Sequence, residues 1–405
     1  MSTLLQINVD ANAGSTGRLA EDIGDVAIEN GWKSYVAFGR DFHPSKSNLI
    51  HVGGRLNILE HVAASRLFDR HGFASYFATK RLVKQLMEIR PDIIQLHNIH
   101  GYFLNLPVLF RYIAKSDIPV VWSLHDCWSM TGHCSHFALA KCEKWKTQCN
   151  HCPLLNEYPK SWGWDSSSIN YKQKKSLIQA IPRLTIVSGS EWLARIAEES
   201  YFCNRSIHVI PDGIDTKIYS PQTDIEELRK KYNLEGKFVI MASGTSWPYY
   251  KGLADYAVLR GLLDENYEII IVGMQEKEIQ NLPKGLIGIP RTKTPNELAK
   301  WYSLADCVMS LSRLESFGLT PVEGFACGTP AIVNNNAALP ELISEKTGFI
   351  VEPGNIQDVK EKVELLHRIG KNAFTKDCRR IALEKYDRYK CYQQYLSLYN
   401  SLCVK

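Results

Sequence analysis

The chain has 405 residues, too long for one ordinary hydrophobic core, so two domains of roughly 200 residues each are expected. With 45% hydrophobic and 22% charged residues it has a globular composition, and apolar stretches such as 118–124 and 238–242 fall far short of the roughly 18 residues a membrane span needs. A formal net charge of +5 gives no argument for a nucleic-acid partner.

Read from the start, Met1-Ser-Thr-Leu-Leu-Gln-Ile-Asn-Val9 runs straight into an apolar strand, with no basic leader and no small-residue cleavage site, so a cytoplasmic protein is expected. Short β-branched runs then alternate with helical patterns, the rhythm of βαβ units around a parallel sheet. In the first half the strands read Leu4–Val9, Ser34–Phe38, Ile93–Leu96, Val120–Leu124, Leu184–Val187 and His208–Ile210. In the second half they read Phe238–Ala242, Ile269–Val272, Cys307–Leu311, Ala331–Val333 and a weaker Gly348–Val351. Turn residues in Pro211-Asp-Gly-Ile-Asp215 place the hinge, giving domains 1–212 and 213–385 with a polar-aromatic helix, 386–405, packing back on the first.

Two loops break the rhythm. Asp126–Ser168 is too long for a crossover and carries Cys127, Cys134, Cys142, Cys149 and Cys152. The spacing Cys134-x7-Cys142-x6-Cys149-x2-Cys152 offers four thiolates suited to a structural zinc, with free thiols as the alternative and His133, His136 or His151 able to replace one sulfur. Trp247-Pro-Tyr-Tyr-Lys-Gly252 is the second loop. Segment 51–90 carries seven Lys/Arg against three acids, interleaved with Phe68, Phe73, Tyr76 and Phe77. It reads either as a solvated helix face or as a surface for anionic lipid or a phosphorylated acceptor.

The densest chemistry lies in Arg313-Leu-Glu-Ser-Phe-Gly-Leu-Thr-Pro-Val-Glu-Gly324, where a buried strand turns into a helix with Pro321 in its first turn. Ligands in open α/β sheets sit beyond the carboxyl ends of strands, and helix N-termini there attract phosphate. Free amides over Ser316, Phe317, Gly318, Leu319 and Thr320 suit a diphosphate, and Glu315 and Glu323 suit sugar or ribose hydroxyls. Considered alone, the two glutamates read more readily as a cap, Glu315, and a solvated helix residue, Glu323.

In context the Glu-x7-Glu segment resembles the hallmark of glycosyltransferase family 4, retaining enzymes of the GT-B fold: two Rossmann-like parallel-sheet domains facing each other across a cleft. Gly14-Ser-Thr-Gly17 resembles the family's N-terminal glycine loop, Val121–Asp126 the strand ending in its active-site histidine, and Val209–Asp215 its interdomain segment. Lys251-Gly252 resembles its phosphate-binding pair, and Leu298–Asp306 the helix before its last donor-site strand. The cysteine loop and Leu96–Asn105 narrow the resemblance to the branch that builds colanic acid, capsule and O-antigen repeats. Two departures stand out: Thr245-Ser246-Trp247 where the family has an arginine, and Ala337-Ala338 in place of a Gly-Gly.

The resemblance implies a hexosyl transfer from a nucleotide-diphosphate sugar to a lipid-linked glycan acceptor, on the cytoplasmic face of the inner membrane and with no catalytic cofactor. It implies catalytic roles for His125, Lys251 and Glu315. Donor contacts would come from Gly14, Gly17, Lys251, Arg291 and residues 315–320 and 323, and acceptor contacts from His97, His100 and Asp126. Arg291 or Arg313 would assist Lys251 where the family arginine is missing. Two other classes compete: a nucleotide-sugar epimerase or phosphorylase on the same fold, and a non-catalytic nucleotide-binding Rossmann pair. The lack of Gly-x-Gly-x-x-Gly after the first strand counts against the second.

Overall fold

A computed structural model describes residues 1–403. The chain divides into two compact units, one made of Met1–Pro211 with the residues from Tyr392 onward, the other of Asp212–Cys391.

The first unit is built on seven parallel strands: β1 (Thr3–Asn8), β2 (Lys33–Phe38), β3 (Asn48–His51), β4 (Ile93–Leu96), β5 (Val120–Leu124), β6 (Leu184–Ser188) and β7 (Ser206–Val209). Their order is β3-β2-β1-β4-β5-β6-β7. The second unit holds β8 (Phe238–Ser243), β9 (Tyr267–Met274), β10 (Leu286–Pro290), β11 (Cys307–Ser310), β12 (Ala331–Asn334) and β13 (Gly348–Val351). These are ordered β10-β9-β8-β11-β12-β13, also all parallel. Both sheets are doubly wound, so each has a switch point, between β1 and β4 and between β8 and β11, where flanking loops diverge.

Central strands β1, β4, β5, β6 and β12 are buried at every residue, as a parallel sheet covered on both faces requires. Two edge strands escape the sequence reading. β3 (NLIH) has one buried residue, and β10 (LIGIP) carries a glycine and ends in proline, a residue that edges tolerate because it removes one ladder donor. The strand expected at His208–Ile210 is β7, displaced toward Ser206.

The expected last helix begins at Arg388, not Tyr386, because the chain before it is occupied: the Ile214 amide donates to the Tyr386 carbonyl at 2.8 Å and the Arg388 amide to the Ile214 carbonyl at 2.9 Å. Gly213 is required at this contact, since a Cβ there would lie 2.5 Å from the Arg388 Cα. Those contacts keep the start of the helix in the second unit. Further along, Tyr392, Tyr395 and Tyr399 form a buried stripe at helical spacing on the first unit. The Tyr399 hydroxyl donates to the Gln95 side-chain carbonyl, the Gln95 amide donates to Ser123 Oγ at 2.8 Å, and Ser123 shares a 2.9 Å bond with the Tyr395 hydroxyl. This closed polar network joins β4, β5 and the last helix.

The long insertion after β5 contains three short 3-10 turns, at Trp128–Met130, Phe137–Ala140 and Lys144–Lys146. It buries Trp128, Phe137 and Trp145, the last two stacked 4.6 Å apart, so it brings its own apolar core. Among the described residues no helix is long and apolar enough to cross a membrane.

Removing one hydroxyl from the closed network leaves a buried amide carbonyl without its donor, which costs about 1–3 kcal/mol. Tyr399→Phe is therefore expected to lower the urea midpoint of unfolding without changing the m-value. An unchanged midpoint refutes the role given to this network.

Candidate active site

In the second unit the loops after β8 and β11 flank the switch point. Gly252 (φ +79°) ends the first loop; a Cβ there would lie 2.6 Å from the Leu311 carbonyl oxygen, so only glycine lets the two loops touch. The contact is fastened by the ion pair of Lys251 Nζ with Glu315 Oε1 at 2.5 Å, whose side chains are 25% and 22% exposed. The Arg313 amide donates to the Tyr250 carbonyl at 2.7 Å, and its guanidinium stands 3.6 Å from Asp255. Lys251, Glu315 and Arg313 are thus brought together.

Gly318 (φ +111°) caps the helix Leu319–Ala326 with no side-chain cap, leaving its first amides without that competitor. The Thr320 hydroxyl donates to the Ser243 carbonyl at the end of β8, at 3.3 Å. Phe317 packs its ring into the core against Tyr386, so only its backbone faces the ligand role expected of it. Glu323 accepts from the buried Tyr302 hydroxyl at 2.6 Å. Tyr302, on the helix Pro295–Leu304, is a site residue the sequence reading passed over; its signal was the spacing that puts it on the buried face. Arg291 is exposed just past β10, at the sheet edge and two strands from β8, so by this geometry the arginine beside Lys251 is Arg313.

In the first unit, the ends of β4 and β5 converge on a hollow of about 190 Å³ lined by His97, His100, His125, Asp126 and Trp128. His97 bonds Gln6 at 3.0 Å and His125 at 3.3 Å, and the two imidazoles stack with centroids 5.5 Å apart. Burial lowers the pKa of both, His125 to about 4, so both are neutral near pH 7. Burial alone would raise the Asp126 carboxyl, but His100 beside it, with the Trp128 amide, brings it to about 2. His100 bridges this carboxylate, 2.7 Å from Nε2, to the Tyr158 hydroxyl, 3.0 Å from Nδ1. Tyr158 comes from the cysteine-rich insertion, 58 residues from His100 in sequence, and only the fold reveals it.

The glycines after β1 differ. Gly14 (φ +64°) is exposed at the start of the helix Gly14–Glu29, open to a ligand. Gly17 is buried, and a Cβ there would lie 3.2 Å from the Asp10 carbonyl oxygen, so close packing accounts for it.

Two doubly wound parallel domains of this kind are the architecture of the GT-B fold. Comparison with known proteins agrees. Residues 17–218 match the family described as Glycosyltransferase Family 4, and residues 224–382 match Glycosyl transferases group 1. The chain belongs to these glycosyltransferases, which favours transfer over the epimerase, phosphorylase and non-catalytic readings.

It is 24% identical to WcaC of Escherichia coli (strain K12), a glycosyl transferase assigned to colanic acid biosynthesis, over 98% of this chain and 100% of that one. It is 31% identical to the D-inositol 3-phosphate glycosyltransferase of Paenarthrobacter aurescens over 40% of this chain and 43% of that one. Among solved structures, Anabaena Alr3699/HepE in complex with UDP superposes with a TM-score of 0.69 at 17% identity, covering 99% of this chain and 100% of that one.

The buried histidines set a pH dependence. His61 is lowered to about 3 and His125 to about 4, and His71 and His97 are lowered too, all chiefly by burial. Below their ordinary value of about 6.5 the unfolded chain takes up protons that the folded chain refuses, so stability falls as pH drops. The loss runs from about 6.5 down to about 4, at up to roughly 1.4 kcal/mol per pH unit for each histidine. The Asp126 contribution is lost separately, from about 3.8 toward 2. Asp212, raised by burial to about 7, works in the opposite sense over the same window, so urea unfolding between pH 7 and 4.5 is expected to show a net fall in stability, smaller in His61→Gln. A flat profile overturns the neutral-histidine assignment.

Proposed function

We propose that the protein transfers a hexosyl unit from a nucleotide-diphosphate sugar to a lipid-linked glycan, in surface polysaccharide assembly and with retention of anomeric configuration. The observation that carries this reading is Lys251 and Glu315 held together beside the open N-terminus of the helix Leu319–Ala326. In this reading Lys251 and the first amides of that helix bind the diphosphate, where charge builds up as the sugar departs. Glu315 and Glu323 hold hydroxyls of the sugar and ribose.

Both carboxylates are already engaged, Glu315 by Lys251 and Glu323 by Tyr302, so neither is set up as a nucleophile. That supports a front-face displacement. The bond from the anomeric carbon to the phosphate oxygen breaks, the acceptor oxygen bonds to the same face, and the acceptor proton passes to the leaving phosphate. Neutral His125 hydrogen-bonds a sugar hydroxyl, and the Asp126–His100–Tyr158 chain orients the acceptor. The binding of UDP and UDP-glucose by the HepE structures supports a nucleotide-sugar donor.

Lys251→Ala is expected to lower kcat/KM by about 2–4 kcal/mol, roughly 30- to 1000-fold, with Glu315→Ala and Glu323→Ala in the same range and the fold intact. Tyr302→Phe, which only frees Glu323, is expected to lose less. The measurement is transfer or slow donor hydrolysis over a panel of UDP-, GDP- and dTDP-sugars. Wild-type turnover in the Lys251 variant would remove the phosphate role.

The same reading places the first unit at the cytoplasmic face of an anionic membrane, where a lipid-linked acceptor is found. Support comes from the helices Arg55–Phe68 and Tyr76–Ile89, which leave Leu56 at 81%, Leu59 at 63% and Phe77 at 71% exposure beside Lys80, Arg81 and Lys84. Trp162, 67% exposed, joins them with the Arg66 guanidinium 5.7 Å from its ring. Arg70 is not part of this face, being bonded to Asn170 and Gln173. Each basic residue near an anionic surface contributes about 1 kcal/mol. Co-sedimentation with anionic vesicles is expected, weakened by salt and lost when Lys80, Arg81 and Lys84 become Glu. Equal binding by that triple variant sinks the membrane face.

A further inference from the structure

The cysteine-rich insertion stands apart from the transfer chemistry, and it holds a cluster that transfer does not use. Cys134, Cys142, Cys149 and Cys152, separated by up to 18 residues in sequence, line a single hollow of about 270 Å³. The Cys134 and Cys152 side chains are hydrogen-bonded to each other. The Gly132 amide is directed at the Cys149 sulfur and the Leu154 amide at the Cys152 sulfur. All eleven cysteines are thiols, with no disulfide among the described residues.

A second observation points to a missing ligand. His133 lines the same hollow with a fully buried side chain; its Nδ1 is held by Asp69, and its Nε2 has no partner. Trp145 Nε1, from another residue of the lining, is also buried without a partner. Native proteins rarely leave two buried polar atoms unpaired in one place. Behind the cluster, Lys174 is 1% exposed, with Nζ 2.6 Å from the Trp128 carbonyl oxygen and 3.9 Å from the Trp128 ring centre.

We propose that the insertion binds one zinc ion through the sulfurs of Cys134, Cys142, Cys149 and Cys152, as a closed structural site. Four S–H bonds break, four Zn–S bonds form, and four protons pass to solvent. Lys174 offsets part of the negative charge of the tetrathiolate, and Asp69 holds His133 beside the sulfurs. Among the described residues no three side chains are already arranged as a ligand set. The proton in the Cys134–Cys152 hydrogen bond must leave before metal takes its place. The site fastens the loop that carries Tyr158 to His100, so its role is to hold the insertion and not to take part in transfer.

The test is metal analysis of full-length protein purified under reducing conditions without added zinc. About one zinc per chain is expected. Cobalt substitution should add a sulfur-to-metal absorption band and tetrahedral visible bands. Cys149→Ser and Cys152→Ser should lose the metal, while Cys203→Ser, outside the cluster, keeps it. His133→Gln should keep one metal per chain and release it to a chelator more readily. Where a cysteine variant fails to fold, wild type stripped by chelator and returned to zinc should release protons and protect four thiols from alkylation. Metal-free protein with four alkylatable thiols, a native mass lower by paired hydrogens, or total loss of metal in His133→Gln would each overturn the four-sulfur site. None of these readouts depends on a sugar donor.

Discussion

Parallel pairing of β8 with β11, and of β1 with β4, is the constraint from which the candidate site of each unit follows. In a doubly wound sheet the connections leave in opposite directions at that pairing, and the loops beyond the strand ends part to leave a crevice. In the second unit those loops carry Lys251 and Glu315, brought into contact only because Gly252 can approach the Leu311 carbonyl. In the first unit the ends of β4 and β5 carry His97, His100, His125 and Asp126 into one hollow. Neither set is contiguous in sequence. The sheet order, and not the local sequence, makes each of them a set.

The electrostatics of the two candidate sites are opposed in kind. The second unit presents a partly exposed ion pair near a helix whose N-cap, Gly318, offers no side-chain cap, and a helix N-terminus favours an anionic group. The first unit presents the neutral imidazoles of His97 and His125, with one carboxylate kept ionised by His100. Buried neutral histidines offer a hydrogen bond without repelling or trapping charge, which suits contact with sugar hydroxyls. Their cost is a fold that tolerates acid poorly.

The insertion shows how far a site depends on structure outside the sheet. Tyr158 reaches His100 only because 40 residues of irregular chain, from 127 to 166, hold a defined path around Trp128, Phe137 and Trp145. So few apolar side chains cannot order a segment of that length by burial alone, against a backbone cost of about 1–2 kcal/mol per residue. An additional fastening is therefore physically reasonable at the point where the sulfurs gather.

Much of the fold was legible in the sequence. Periods of two and of about 3.6 separate strand from helix, and every central strand was recognised, since burial on both faces forces a continuous β-branched run. The two edge strands were missed for the complementary reason: β3 and β10 bury little, and their polar ends, glycine and proline resemble loop. The helix start at Arg388 was misread by two residues because Ile214, distant in sequence, claims the backbone of Tyr386. The contiguous motifs, Glu315 through Glu323 and Lys251-Gly252, stood out through their resemblance to those of a known family, which local sequence is enough to carry. What the tertiary structure alone decided was partnership: Glu323 with Tyr302, His100 with Tyr158, Arg313 in preference to Arg291 beside Lys251, and Gly17 as a packing residue. Each is a contact between segments separated in the chain, and no local periodicity encodes which segments meet.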